Sequence, residues 1–197
     1  MERPIIFSGP MVRAILQGRK TQTRRLATSP LAKVQPGDRL WVRETWQLVG
    51  SGMDRRGEHL MYPADGGHHY AHSPLRRVTV SLQKRPSIHM PRWASRILIE
   101  VTAVRRERLQ EIDGAAVVAE GLRKLSKDGG QTWKYGVPGK GEEGWPAGAN
   151  EDGMLWRDWH VDPQQAFAFL WNSLHAKPGT TWADNPEVVV ITFMRLP

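Results

Sequence analysis

Apolar residues recur along this chain in short, separated groups, and their spacing predicts a small set of elements. Met11, Val12, Ile15 and Leu16 share one face of a helix over residues 10–17, with Pro10 tolerated in its first turn and Gly18 placed to end it. Pro36-Gly37-Asp38 is a turn, and residues 40–46 alternate as a strand, with Trp41 on one face and Leu40 and Val42 on the other. Residues 78–82 and 97–104 are further strand candidates. Between them, the prolines around Ile88-His89-Met90 impose an extended connection. Asp113 caps a helix that Gly121 closes, Asp162-Pro163 opens a helix striped by Ala166, Phe167, Leu170 and Leu174, and residues 187–195 form a last strand.

Two stretches lack periodicity and read as inserts. Residues 47–77 are rich in Gly, Asp, His and Arg, and residues 121–161 hold nine glycines with Trp133, Trp145, Trp156 and Trp159. What remains is helix, strands, helix, helix, strand. This predicts one α+β domain over 1–197, built on a mostly antiparallel sheet or barrel with flanking helices and interrupted at about 47–77 and 121–161.

Composition narrows the chemistry. With 197 residues, 40% of them hydrophobic, the chain can bury a proper core. No apolar run nears the roughly 18 residues a membrane helix needs, and Met1-Glu2-Arg3-Pro4 has no signal-peptide pattern, so a soluble, cytoplasmic chain is expected. Zero cysteines exclude disulfides, thiolate catalysis and cysteine-ligated zinc. The net charge of +8 is concentrated: residues 1–43 and 76–108 each carry nine basic and two acidic groups, whereas 44–75 and 109–197 are net acidic. Folded side by side, the two basic blocks would attract a polyanion. Nine tryptophans against three tyrosines and four phenylalanines add flat faces suited to stacking on bases.

The densest chemistry lies in Gly18-Arg19-Lys20-Thr21-Gln22-Thr23-Arg24-Arg25, where four cations and two hydroxyls follow the first helix. Such a cluster offers several donors to a phosphate or a polarised carbonyl, and Lys20 among like charges releases its proton more easily. A solvated basic face, favoured at a helix C-terminus by the dipole, is the competing reading. Glu120 falls in the last turn of its helix, where the dipole disfavours an anion, which hints at a role beyond local stability. Arg92-Trp93 would suit a cleft wall, the arginine on phosphate or carbonyl and the indole on a base, although Trp93 suits a core equally. His68, His69 and His72 lack accompanying carboxylates, so no metal is expected. Gly18-Arg19-Lys20-Thr21 lacks the glycine framework of a phosphate-binding loop.

Taken in order, these motifs resemble the ASCH family of PUA-like β-barrels, in particular its longer prophage-borne members. The resemblance rests on Ile5-Ile6-Phe7, the basic octet, Pro36-Gly37-Asp38-Arg39-Leu40-Trp41-Val42-Arg43-Glu44-Thr45-Trp46, Ile88-His89-Met90-Pro91-Arg92-Trp93, Ile99-Glu100-Val101-Thr102, Ala119-Glu120-Gly121 and a last strand with Phe193. It covers most of the chain outside the inserts. It implies a cleft facing RNA or a modified nucleoside. Small bacterial members look like amidohydrolases that remove the acetyl group of N4-acetylcytidine with a Lys, a Thr and a Glu, which map to Lys20, Thr23 and Glu120. Arg19, Thr21, Arg24, Arg25, Glu44, Arg92 and Trp93 are then the candidates for holding substrate or RNA. In that chemistry either Lys20 takes the proton of Thr23, or Lys20 steadies an oxyanion while Glu120 activates water, and no cofactor is called for. The alternatives are a non-catalytic RNA-binding module and a ribonuclease using His89 or His175.

Overall fold

The computed structural model describes residues 2–50, 57–74, 81–140, 145–148 and 152–197. The chain is mixed α+β, with mostly antiparallel sheets. The first sheet contains β1 (Glu2–Ile6), β2 (Gln22–Leu26), β3 (Arg39–Arg43), β8 (Leu98–Arg108) and β11 (Glu187–Arg195), in the order β1-β3-β8-β11-β2. Only β1 and β3 run parallel; β8 and β11 form the long central pair, with a register shift between Thr192 and Phe193. Val188 to Ile191 are wholly buried on both faces of β11, as expected for a strand covered on each side. Among the described pairings β1 and β2 remain the ends of this sheet, and the closed barrel expected from the sequence is not found.

Among the described residues three α-helices accompany the sheet: α1 (Gly9–Leu16), α2 (Gly114–Ala119) and α3 (Pro163–Leu174). Their ends follow the expected signals. Pro10 sits in the first turn of α1, Gly18 turns the chain out of it at φ +72°, and the side chains of Asp113 and Asp162 accept backbone N–H bonds at the starts of α2 and α3. Among the described residues no helix is long and apolar enough to cross a membrane.

The first predicted insert is a sheet of its own. β4 (Trp46–Gly50), β5 (Glu58–Tyr62), β6 (Gly67–Ala71) and β7 (Ser81–Arg85) pair antiparallel in the order β6-β5-β4-β7 around Trp46, Leu48, Leu60, Tyr62 and Met90. Residues 51–56 and 75–77 of that insert, and residues 78–80 of the predicted strand 78–82, lie outside the described residues. The strand expected over 40–46 is two strands: Glu44 and Thr45 interrupt it, and the chain leaves the first sheet for the second there. Both faces of β3 are buried, Trp41 on one and Leu40 and Val42 on the other. The second insert holds the short antiparallel pair β9 (Arg123–Leu125) and β10 (Lys134–Gly136); its residues 141–144 and 149–151 lie outside the described residues.

Candidate functional site

Lys20 stands where three elements meet. As α1 ends, the amides of Arg19 and Lys20 both donate to the Ala14 carbonyl, at 2.8 and 3.0 Å, so the chain turns back before entering β2. Thr21 then ties the neighbouring elements: its amide donates to Ala119 O of α2 and its carbonyl accepts from Phe193 N of β11. The C-terminal end of α2 is thereby held against the start of β2. Gly121, at φ +102°, permits the approach, because a Cβ there would meet Ala14 Cβ, Met11 Sδ and Lys20 Cβ at 3.2–3.3 Å.

The Lys20 ammonium donates to Glu120 O at 2.6 Å and to Glu120 Oε2 at 2.9 Å. A cation on the last carbonyls of a helix complements the dipole, and it offsets the misplaced carboxylate noticed in the sequence. Arg24 completes the cluster, donating through Nη1 to Glu120 Oε1 at 3.1 Å and through Nε and Nη2 to Glu107 Oε1 at 3.0 and 2.6 Å. All three of Lys20, Arg24 and Glu120 are less than 5% exposed. Burial lowers the Lys20 pKa against the opposing pull of Glu120, with Arg25 and Arg24 adding to the lowering. The sequence expectation credited the neighbouring arginines; burial is the larger cause, and Arg19 turns instead to Gly121 O and Gln17 Oε1.

Thr23, fully buried on β2, accepts from Arg25 Nη1 at 2.8 Å. Arg25 also donates to Arg24 O and Ile6 O, each at 3.0 Å, and lies 5.3 Å from the Phe7 ring centroid, so it spans the gap between the two end strands. These groups share a cavity of about 420 Å³. Lys20, Thr23, Arg24, Arg25 and Glu120 form its polar wall; Phe7, Met11, Phe167, Leu170 and Trp171 form its apolar one. That combination, a mostly apolar hollow with a few convergent polar groups, is typical of small-ligand sites.

His175 lines the same cavity and carried little weight in the sequence reading. It follows the last turn of α3, stacks on Trp171 with centroids 3.9 Å apart, and has Nδ1 3.1 Å from Trp171 O. That contact suits the Nδ1–H tautomer, which leaves Nε2 as the acceptor. Burial, with a smaller contribution from Arg25, lowers the His175 pKa against the hydrogen bond to Trp171, so the ring is neutral near pH 7. An imidazole four positions after an indole, at the end of one helix, is the signal the sequence carries.

Five sequence candidates lie outside the cavity lining. Arg19 and Thr21 brace its back through the contacts given above. Glu44 is buried in a separate ion cluster, accepting from Arg96 Nε and Nη2 at 2.9 and 3.0 Å. Arg92 is exposed and pairs with Glu2 at 2.9 Å. Trp93 packs edge-on against Trp46 of the second sheet, 5.9 Å between centroids, in the core role open to it from sequence. Of the histidines, His68 contacts His59 at 2.9 Å, and among the described residues no group of three or more potential metal ligands occurs. No family model, no curated protein and no solved structure matches this chain.

Proposed function

We propose that this is an ASCH-type, PUA-like protein that hydrolyses the amide of an N4-acylated cytidine. One observation carries the reading: Lys20 and Glu120, 100 residues apart in sequence, meet at 2.9 Å inside the protein on the wall of a cavity that Thr23 also lines. The hollow of about 420 Å³ lies within the roughly 300–1,000 Å³ of small-molecule sites and has the apolar wall a base requires.

Both oxygens of Glu120 already accept from cations, Oε2 from Lys20 and Oε1 from Arg24. This favours Glu120 as the group that holds Lys20 and balances its charge, and Lys20 as the base. In its neutral form Lys20 takes the proton of Thr23 as Oγ1 attacks the acyl carbon. The negative charge develops on the acyl oxygen, and Arg25, which lines the same wall and donates to Oγ1 at rest, is the cation at hand to steady it. The Lys20 ammonium returns its proton to the departing N4 as the C–N bond breaks, releasing cytidine. Water then hydrolyses the threonine ester to the free carboxylate and restores the hydroxyl. The net reaction consumes one amide and one water and draws only on side chains of this chain.

The reading as a binding module rests on the +8 charge. That excess is net of all carboxylates, but Arg24, Arg96, Arg92, Arg106 and Arg13 each have a carboxylate partner within 3.1 Å, so these five are not left to meet a polyanion alone. An open basic groove draws less support than the polar wall of the cavity. Incubation with N4-acetylcytidine, with chromatography of the products, should show equimolar cytidine and acetate. Thr23→Ala should release neither, and intact-protein mass spectra should show an acylated species in wild type alone. Absence of cytidine with the wild-type protein would refute the reaction; full release by Thr23→Ala would refute the nucleophile.

A further inference from the structure

The tryptophans of residues 121–161 take no part in the cavity, and three of them are set among lysines. β9 and β10 pair with Tyr135 opposite Lys124 and Lys134 opposite Leu125, so alternation puts Lys124, Trp133 and Tyr135 on one face and Lys134 on the other. The Lys124 ammonium lies 5.0 Å from the Trp133 ring centroid and 5.8 Å from that of Tyr135. On the other side, Lys127 lies 5.3 Å from Trp145 and 4.7 Å from Trp156, and Lys134 lies 5.0 Å from Trp156. Only Trp159 is core, 2% exposed with Nε1 donating to Met154 O at 3.0 Å. Trp133 and Trp145 remain 44% and 49% exposed.

Folding alone gives a half-exposed indole little purpose, since its contribution to stability comes from the area it buries. Each ring here carries an ammonium on a long, mobile stem. Such a cation–π contact is weak at an exposed site and readily exchanged for a phosphate, which binds an ammonium more strongly. Once the lysine leaves, the ring face is free for a nucleobase. The described acids of the segment are engaged elsewhere. Asp128 accepts from Ser126 Oγ and Thr132 N, Asp152 pairs with Arg13, and Asp158 lies 3.9 Å from Arg157. Glu142, Glu143 and Glu151 lie outside the described residues.

We propose that the two faces of the β9–β10 hairpin, with the adjoining Trp145 and Trp156, form a stacking surface for a single-stranded polynucleotide that wraps round the hairpin from one face to the other, with Lys124, Lys127 and Lys134 moving from the rings onto its phosphates. The platform rests on the proposed reaction only for the view that the strand carries the acylated base; the binding itself stands on the rings and lysines. Stacking is tolerant of sequence because every base has a π-face, so single strands are held with little regard to order, whereas a duplex hides those faces.

The test uses the whole chain and fluorescein-labelled 12-mers of uridylate and of thymidylate, with an RNA duplex of equal length, followed by anisotropy. Trp133→Ala/Trp145→Ala should weaken single-strand binding by about 5- to 100-fold per stacked base lost and leave duplex binding unchanged. Lys124→Ala/Lys127→Ala/Lys134→Ala should make the plot of log affinity against log salt shallower by about 2, the slope expected for three phosphate contacts on a single strand. Circular dichroism and turnover of the free acylated nucleoside should match wild type in both variants, while KM for an acylated oligonucleotide rises. RNA and DNA bound alike would assign recognition to bases and phosphates; a preference for RNA would add the 2′-hydroxyl; either supports the platform. Unchanged single-strand affinity in the tryptophan variant, or an equal loss for the duplex, overturns it. Turnover of the nucleoside with unchanged strand binding in the variants sinks this inference alone. Lost binding without any wild-type turnover sinks the proposed chemistry alone.

Discussion

Two ion clusters in this protein, each with a buried glutamate, look alike in composition and differ in what surrounds them. Lys20, Arg24, Glu107 and Glu120 interlock behind the first sheet, and Glu44, Arg96 and Asp65 interlock where the two sheets join. In the second cluster Arg96 donates two bonds to each of two carboxylates, at 2.8–3.0 Å, with its guanidinium 4.0 Å from the Tyr62 ring centroid. Its charges close upon one another, and they fasten the β5–β6 turn to the β3–β4 junction. In the first, Lys20 and Arg24 form part of a hollow that also presents a hydroxyl and an imidazole. A buried charge therefore identifies a site only when space for a reactant adjoins it.

The sharpest division between them is Lys20→Met. On the proposed reaction Lys20 transfers the proton, and its removal should lower kcat by about 10²- to 10⁴-fold. Steady-state turnover of N4-acetylcytidine measures it, and a loss below tenfold would place Lys20 among the supports. Arg96→Met should do the reverse. Stripping the cation from two carboxylates, one nearly buried, should cost about 3–5 kcal/mol in urea unfolding, while turnover per folded molecule stays at the wild-type level.

Acidity separates the clusters by sign. The Lys20 pKa is lowered from 10.5, so in the window just below 10.5 the unfolded chain keeps a proton that the native one releases, and stability climbs as pH rises through it. The Glu44 pKa is raised from 4.5 by burial, against Arg96, so just above 4.5 the native chain keeps the proton instead, and this contribution falls as pH rises. Urea titrations from pH 4 to 10.5 should lose the alkaline climb in Lys20→Met and the acid-side fall in Glu44→Gln. The smallest effect belongs to His175→Asn. Protonating this ring adds a cation beside Arg25, so wild-type KM should drift severalfold below pH about 6.5, and the variant should not show the drift.

Much of this architecture is legible in the chain. Pro10 and Gly18 bracket α1, Asp113 and Gly121 bracket α2, and Asp162-Pro163 starts α3, because caps and breakers act locally. β2 escapes such reading. Its residues Gln22-Thr23-Arg24-Arg25-Leu26 bury Thr23 and Arg24 side by side, and the arginine is made acceptable by Glu107 and Glu120, which lie 83 and 96 residues away. The second sheet escapes as well, since β6 is mostly polar, Gly67-His68-His69-Tyr70-Ala71, and only Leu60 and Tyr62 of β5 face its core. Within the candidate site, Lys20 and Glu120 stand out by themselves, one in the basic octet and one at the wrong end of its helix, but grouping them with Thr23 took motif resemblance, because spacing cannot join positions a hundred residues apart. Glu44 followed from the same reasoning and belongs elsewhere, since its partner Arg96 is invisible until the sheets are laid together.

Gly121 gives the assembly its narrowest tolerance. With φ at +102° and three side-chain atoms 3.2–3.3 Å from an added carbon, the position strains any residue but glycine. A single methyl would press on Ala14, Met11 and the Lys20 stem, each of which would have to give by a few tenths of an ångström, and so would shift the amine against the acid. In a saturation library scored for activity, this silent atom should be as intolerant of replacement as the groups it keeps together.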